Sequence, residues 1–401
     1  MTNHLGQDVL VVGASAAGLS TAEALRRGGH RGRLTLIDAE LHPPYDRPPL
    51  SKQFLSGAWN DARIALRPPE ALSELDADFV LGERATHLDV AQRRVKTNTG
   101  RVVSADSVVI ATGVRPRRLA GQEAFTGAHV LRSVDDARRL RAGLRPGRRL
   151  VVVGNGVLGS EVAATARGLG LSVSLVGSAE QPMGGQLGDL GASELAAVHR
   201  AAGVNLVGGH HVRSLIGESG RGGRVTGVVL DSGEVLPADE VIVAIGSEPA
   251  TDWLIGSGLE LDDGVLCDSR CRAADGVWAV GDVARWEHLG LGGTIRLENR
   301  TNATEQAIAV ARDVLGDGEP YLPVPFFWTD QYGVKIQMYG AIPPGARTEV
   351  VDGDPADGRF VALAHDDDRL VGVLGWGIPK QTRVRRQELA EQMAASVPAL
   401  R

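Results

Sequence analysis

A chain of 401 residues is too long for one ordinary hydrophobic core, so two or three domains are expected. Hydrophobic residues at 43% and charged residues at 23% describe an ordinary globular mixture, and a formal charge of −6 argues against a nucleic-acid binder, which would carry a basic domain. No apolar run reaches the roughly 18 residues needed to span a bilayer, and the polar opening from Met1 to Asp8 has no signal-peptide pattern, so neither a membrane nor an export route is expected and the location is read as cytoplasmic.

The first element is a β-branched run that enters a glycine turn, Asp8-Val-Leu-Val-Val-Gly-Ala-Ser-Ala-Ala-Gly18, followed by an Ala/Leu-rich stretch that reads as helix and by a second apolar run, Leu34–Ile37. Strand, helix and strand with continuous apolar runs predict a βαβ unit with buried parallel strands. Within the turn, Gly13 permits the tight bend, Ser15 stands where a pyrophosphate approaches with Ala16 and Ala17 opening the helix, and Gly18 lets helix and strand pack closely. The helix N-terminus offers backbone N–H groups to phosphate charge. Asp38 and Glu40 follow the second strand about 20 residues after the turn, the spacing at which a carboxylate meets a ribose hydroxyl.

Further along, Ser107-Val-Val-Ile-Ala-Thr-Gly113 reads as a strand closing in a small-residue turn. The opening pattern then recurs as Arg149-Leu-Val-Val-Val-Gly-Asn-Gly-Val-Leu-Gly159, with Gly154, Gly156 and Gly159 matching the dinucleotide fingerprint and Leu171–Val176 as its second strand. Aligning the two units puts Gly177 where Asp38 stands in the first. No carboxylate is left for an NAD ribose, and no Arg or Lys stands nearby for an NADP phosphate, so NADH against NADPH stays open. Glu240-Val-Ile-Val-Ala-Ile-Gly246 ends like the strand at 107, and Gly276-Val-Trp-Ala-Val-Gly-Asp282 ends in Gly281 and Asp282. The two cysteines, Cys267 and Cys271, cannot make a disulfide framework, and their spacing fits neither a zinc knuckle nor a thioredoxin-type pair, so they read as bland thiols and no metal site is expected.

After Pro320 the texture changes: an aromatic segment Phe326-Phe-Trp328, alternating strands around Val334–Tyr339, Phe360–Ala364 and Leu370–Trp376, and a helix from Gln381 to Ala395. The fold class is therefore α/β, with two Rossmann-like dinucleotide-binding domains and a small α+β C-terminal interface domain. The expected division is a split FAD domain at 1–112 and 240–318, an NAD(P) domain at 113–239 and the interface domain at 319–401. Two dinucleotide sites in one chain suit FAD paired with a nicotinamide nucleotide, because hydride passes directly between the rings and no catalytic nucleophile is required.

Several separated motifs carry a resemblance over the whole chain: the first turn, Pro44-Tyr-Asp-Arg47-Pro-Pro-Leu-Ser-Lys52, Ala111-Thr-Gly-Val-Arg-Pro116, Gly154 through Glu161, Val280-Gly-Asp282, Leu297-Glu-Asn-Arg-Thr-Asn-Ala303 and Phe327-Trp-Thr-Asp-Gln331. Together they resemble the oxygenase-coupled, FAD-containing ferredoxin reductases, the putidaredoxin reductase type, whose fold is glutathione-reductase-like. The resemblance implies tight non-covalent FAD, NADH or NADPH as exchangeable substrate, and a 2Fe–2S ferredoxin as electron acceptor that serves a P450 or ring-hydroxylating oxygenase. It puts Asp38 and Glu40 at the FAD adenosine ribose, Arg47 and Lys52 along the flavin, and Asp282 at the ribitol. Ala111, Thr112, Gly113, Arg132 and Gly281 become further FAD contacts. Leu158 and Gly159 go with the second turn, Glu161 pairs with Lys52 and faces the nicotinamide, and Trp328 lies beside the flavin near the partner surface. Glutathione, lipoamide and thioredoxin reductases carry a redox cysteine pair that is missing here, so electrons are expected to leave directly to an external one-electron carrier.

Lys380, Arg383, Arg385 and Arg386 form a basic run that would suit an acidic ferredoxin or, equally, make a solvated helix face. Two other functions stay open: a stand-alone flavin oxidase or small-molecule reductase, and a flavoprotein resembling apoptosis-inducing factor, whose Gly-Ser-Glu matches Gly159-Ser-Glu161.

Overall fold

The computed structural model describes residues 4–218 and 222–395. Both βαβ units are present. In the first, the strand Val9–Val12 is central to a six-stranded sheet, flanked by Leu34–Asp38 and Ser107–Ile110 in parallel register. Asp78–Leu81 extends one side, and Val277–Ala279 with the antiparallel Arg272–Ala274 extends the other. In the second, Arg149–Val153 holds the same place in a five-stranded, all-parallel sheet between Ser172–Val176 and Glu240–Val243. The central strands are buried on both faces, as their unbroken β-branched composition requires.

The strand Glu240–Val243 corrects the expected division. The expected division puts it in the returning part of the FAD domain, but it pairs with Arg149–Val153 in the second sheet, as Ser107–Ile110 pairs with Val9–Val12 in the first. The two runs end alike because each is the third parallel strand of its own unit. The chain crosses between units through a two-stranded antiparallel ribbon, Val114–Pro116 against Ser247–Pro249, so the return lies downstream of 243.

The C-terminal part is a five-stranded antiparallel sheet in the order Phe326–Gln331, Val334–Gly340, Arg369–Trp376, Arg359–Asp366, Arg347–Asp354. The helix Pro379–Ala395 buries Leu389 and Met393 against Val361 and Val373. Another set of residues from this sheet, including Ile336, Met338 and Leu374, packs with Met183, Leu187 and Leu195 of the second nucleotide unit. Among the described residues no helix is long and apolar enough to cross a membrane.

Candidate functional site

The two glycine turns are built alike. Gly13 N–H donates to the Ile37 carbonyl at 2.7 Å, and Gly154 N–H donates to that of Val176 at the same distance. Gly13 and Gly154 adopt φ of 112° and 110°, and a Cβ there would stand 2.2 Å from the Ala111 oxygen or 2.1 Å from the Ala244 oxygen. A Cβ on Gly18 or Gly159 would lie 1.8 Å from the oxygen of its own Gly13 or Gly154, so helix and turn touch backbone to backbone. The helices that follow, Ala16–Arg27 and Val157–Gly168, receive no side-chain cap from Ser15 or Gly156, whereas Ser133, Asn60 and Asn299 cap theirs. Two helix N-termini are thus left with unpaired N–H groups for an anion.

Both turns open on one cavity of about 1360 Å³. Ser15, Ala16, Ala17, Arg47, Lys52, Ala111, Gly113, Arg132, Gly281 and Asp282 line its first part; Gly154, Gly156, Leu158 and Glu161 line the second; Trp328 comes from the C-terminal sheet. Of the remaining candidates, Gly13, Gly18, Gly159, Thr112, Asp38 and Glu40 shape it from behind. Thr112 donates to the Ala250 carbonyl at 3.0 Å. Asp38 braces the turn, accepting from Ala14 N–H at 2.6 Å and Glu40 N–H at 2.8 Å, and burial pushes its carboxyl above the usual carboxylate range. Glu40 accepts from the Tyr45 hydroxyl at 2.5 Å and from Arg47 at 2.7 Å.

Arg47 in turn donates to the Arg132 carbonyl at 2.6 Å, and the Arg132 guanidinium meets Asp282 at 3.2 Å. Burial lowers the Arg132 pKa and raises that of Asp282, each partly offset by the other. Among the described residues, Arg47 Nε is a buried donor with no partner. A buried guanidinium N–H without an acceptor, on a cavity that an uncapped helix N-terminus also lines, fits a bound phosphorylated cofactor.

The three parts of the chain meet at Glu161. Its Oε2 accepts from Lys52 Nζ at 2.7 Å and from Ser51 Oγ at 2.5 Å, and its Oε1 accepts from Thr329 Oγ1 at 2.7 Å. Lys52 also lies 5.6 Å from the Trp328 ring centroid, with Lys335 at 5.3 Å. Because Glu161 only accepts, the donor order continues outward without ambiguity. Thr329 accepts from Gln331 Nε2 at 3.2 Å, Gln331 Oε1 accepts from His199 Nε2 at 3.0 Å, and His199 Nδ1 accepts from the Tyr332 hydroxyl at 3.0 Å. Burial lowers the His199 pKa to about 4, so the ring is neutral with its proton on Nε2.

Sequence reasoning named Lys52, Glu161 and Trp328 but missed Ser51, Thr329, Gln331 and His199. The first three lie inside quoted motifs and were available; His199 sits in a helix with no motif around it. Of the basic run, Arg385 is engaged by Asp352 and Glu388, and Arg386 lies 5.7 Å from the Tyr339 ring centroid, while Lys380 and Arg383 are exposed. Cys267 and Cys271 are buried outside the cavity, and burial pushes the Cys271 thiol up to about 12.

Residues 7–307 match the model of the pyridine nucleotide-disulphide oxidoreductases, and residues 326–401 match that of the reductase C-terminal domain. The chain is 37% identical over 400 residues to the ferredoxin reductase component of chlorobenzene dioxygenase from Cupriavidus sp. (strain PS12), covering 98% of this chain and 94% of that one. It is 33% identical over 387 residues to rhodocoxin reductase of Rhodococcus erythropolis, covering 96% and 90%. The crystal structure of the covalent putidaredoxin reductase–putidaredoxin complex superposes with a TM-score of 0.92 at 29% identity, covering 98% of this chain and 96% of that one. With both glycine turns, the shared cavity and the C-terminal sheet in place, the chain belongs to the pyridine nucleotide-disulphide oxidoreductase family and carries its reductase C-terminal domain.

Proposed function

We propose that the protein is an FAD-dependent reductase that takes electrons from NADH or NADPH and passes them to a 2Fe–2S ferredoxin serving a P450 or ring-hydroxylating oxygenase. The observation that carries this reading is the convergence of two uncapped glycine turns and the Lys52–Glu161–Thr329 cluster on one cavity, with no thiol on its wall. FAD, when bound, accepts a hydride from a nicotinamide and yields electrons singly to an acceptor.

The residues divide that work by position. The Gly13–Gly18 turn and Arg47 would hold the pyrophosphate of FAD, and Asp282, steadied by Arg132, would accept from its ribitol hydroxyls. The Gly154–Gly159 turn holds the nicotinamide nucleotide. With the cofactors bound, Lys52 would supply positive charge beside the flavin ring, and Glu161, which holds Lys52, would face the nicotinamide. Trp328, on the cavity wall, would lie beside the flavin near the partner surface. A cytoplasmic location accompanies this reading.

The test is anaerobic mixing of the flavin-loaded protein with each nucleotide, followed by a 2Fe–2S ferredoxin. Bleaching of the flavin, then rapid reduction of the ferredoxin, is the expected course. Reduced flavin that reacts quickly with oxygen but not with ferredoxin would sink the reading in favour of an oxidase.

A further inference from the structure

The two units differ in a pair of positions that the matched backbone hydrogen bonds align. Gly13 N–H to Ile37 and Gly154 N–H to Val176 place Ala14 on Asn155 and Asp38 on Gly177. In the first unit the bridge between strand end and turn comes from the strand, as Asp38 accepts from Ala14 N–H at 2.6 Å. In the second it comes from the turn. Asn155 Nδ2 donates to the Ala179 carbonyl at 2.7 Å, and the Asn155 backbone carbonyl accepts from Met183 N–H at 2.8 Å. The Asn155 amide fills the space a side chain at 177 would need: a Cβ there would lie 1.9 Å from Asn155 Cγ.

A carboxylate at the end of the second strand selects NAD, because it accepts from the ribose 2′-hydroxyl and repels a 2′-phosphate. Here a neutral amide stands in that place. Gly177, Ser178, Ala179, His210 and His211 line the cavity beside it, and His210 N–H donates to the Gly177 carbonyl at 3.1 Å. Two carboxylates are near. Asp231 is engaged by His210 Nδ1 at 2.9 Å and by His211 N–H at 3.1 Å. Glu180 is turned to Gly209, where a Cβ would stand 2.6 Å from its Oε1, and it does not line the cavity.

We infer that Asn155 and Gly177 together remove discrimination at the 2′ position, so that the second site accepts NADPH as well as NADH. The inference rests on the proposed assignment of the second turn to the nicotinamide nucleotide. Asn155 ties the loop from 177 to 183 to the turn, through its amide at Ala179 and its backbone carbonyl at Met183, without supplying the charge that would reject phosphate.

The experiment compares NAD⁺ and NADP⁺ binding to the flavin-loaded protein by calorimetry, alongside anaerobic flavin reduction by NADH and NADPH. Affinities and reduction rates within about thirtyfold of each other are expected, since one charge-assisted hydrogen bond is worth about tenfold to a hundredfold. A preference for NADH above that overturns the inference while leaving the reductase reading intact. Failure of both nucleotides to bind overturns the assignment of the second site and the inference with it. The double variant Asn155→Ala/Gly177→Asp copies the Ala14/Asp38 arrangement and should shift selectivity towards NADH by about tenfold or more. An unshifted ratio in the folded variant would also overturn the inference, and should the variant not fold, the ratio in the unaltered protein decides alone.

Discussion

Glu161 is 6% exposed and takes three hydrogen bonds on its two oxygens, so its direction is fixed by neighbours. Glu161→Gln would leave the Lys52 ammonium, itself only 10% exposed, without its counter-charge. Removing one partner of a buried ion pair costs about 3–5 kcal/mol. We therefore expect a lower melting temperature and flavin reduction by NADH slowed by about tenfold to a hundredfold, measured by stopped-flow absorbance. Thr329→Val, which removes one neutral donor, should slow the same step by about tenfold at most. His199 gives a pH signature. Its folded-state pKa of about 4 lies below the unfolded value of about 6.5. The folded protein thus binds fewer protons there than the unfolded chain. The stability it contributes is complete above pH 6.5 and is lost as pH falls towards 4, by about 3 kcal/mol. Melting temperatures recorded across that window should fall less steeply in His199→Gln than in the unaltered protein; equal slopes would remove His199 as the origin.

At the scale of elements, the glycine turns make separable predictions. Gly154→Val would drive side-chain atoms into the Ala244 carbonyl, so binding of NAD⁺ should weaken by at least about a hundredfold while the flavin stays bound. Gly13→Val should instead lower the flavin content of the purified protein, read from its visible absorbance against the 280 nm band. These turns were legible in the sequence because a strand, a glycine turn and an Ala-rich helix repeat as one pattern. Other elements were not. The strand Arg347–Asp354 was overlooked because it is an edge strand of Arg, Glu and Asp with little buried surface, so alternation gives no signal. The meander from Ala85 to Ser104 gives a different reason: Arg94–Thr97 does alternate exposed and buried residues, but its strands run only three to five residues, too short for alternation to stand out. The register of Glu240–Val243 needed the partner strand, which lies about ninety residues earlier in the chain. The polar chain from Glu161 to Tyr332 joins residues up to 168 positions apart. Lys52 and Glu161 were found only through the resemblance of their motifs, and nothing in the sequence around His199 marks its contact with Gln331.

At the scale of the molecule, the C-terminal sheet does two things at once. It lines the cavity with Trp328 and presents Lys335 to solvent, beside Lys380 and Arg383 of the helix Pro379–Ala395. If an acidic ferredoxin docks on this side, the double variant Lys380→Glu/Arg383→Glu should lower its association rate by about tenfold at low salt and by less at high salt. Flavin reduction by NADH, followed in the same instrument, should be unchanged. An unaltered association rate would exclude these two residues from the docking face.

The ribbon of Val114–Pro116 against Ser247–Pro249 also has a bearing on how such a chain can be rearranged. Its two passes are hydrogen-bonded neighbours, so the stretch they enclose enters and leaves the first unit through a single doorway. None of the six strands of the first sheet comes from that stretch. The second unit is therefore a cassette in the topological sense. It can be cut out and its ends rejoined by a short turn, or exchanged for a nucleotide unit of different selectivity, without rethreading any strand of its host.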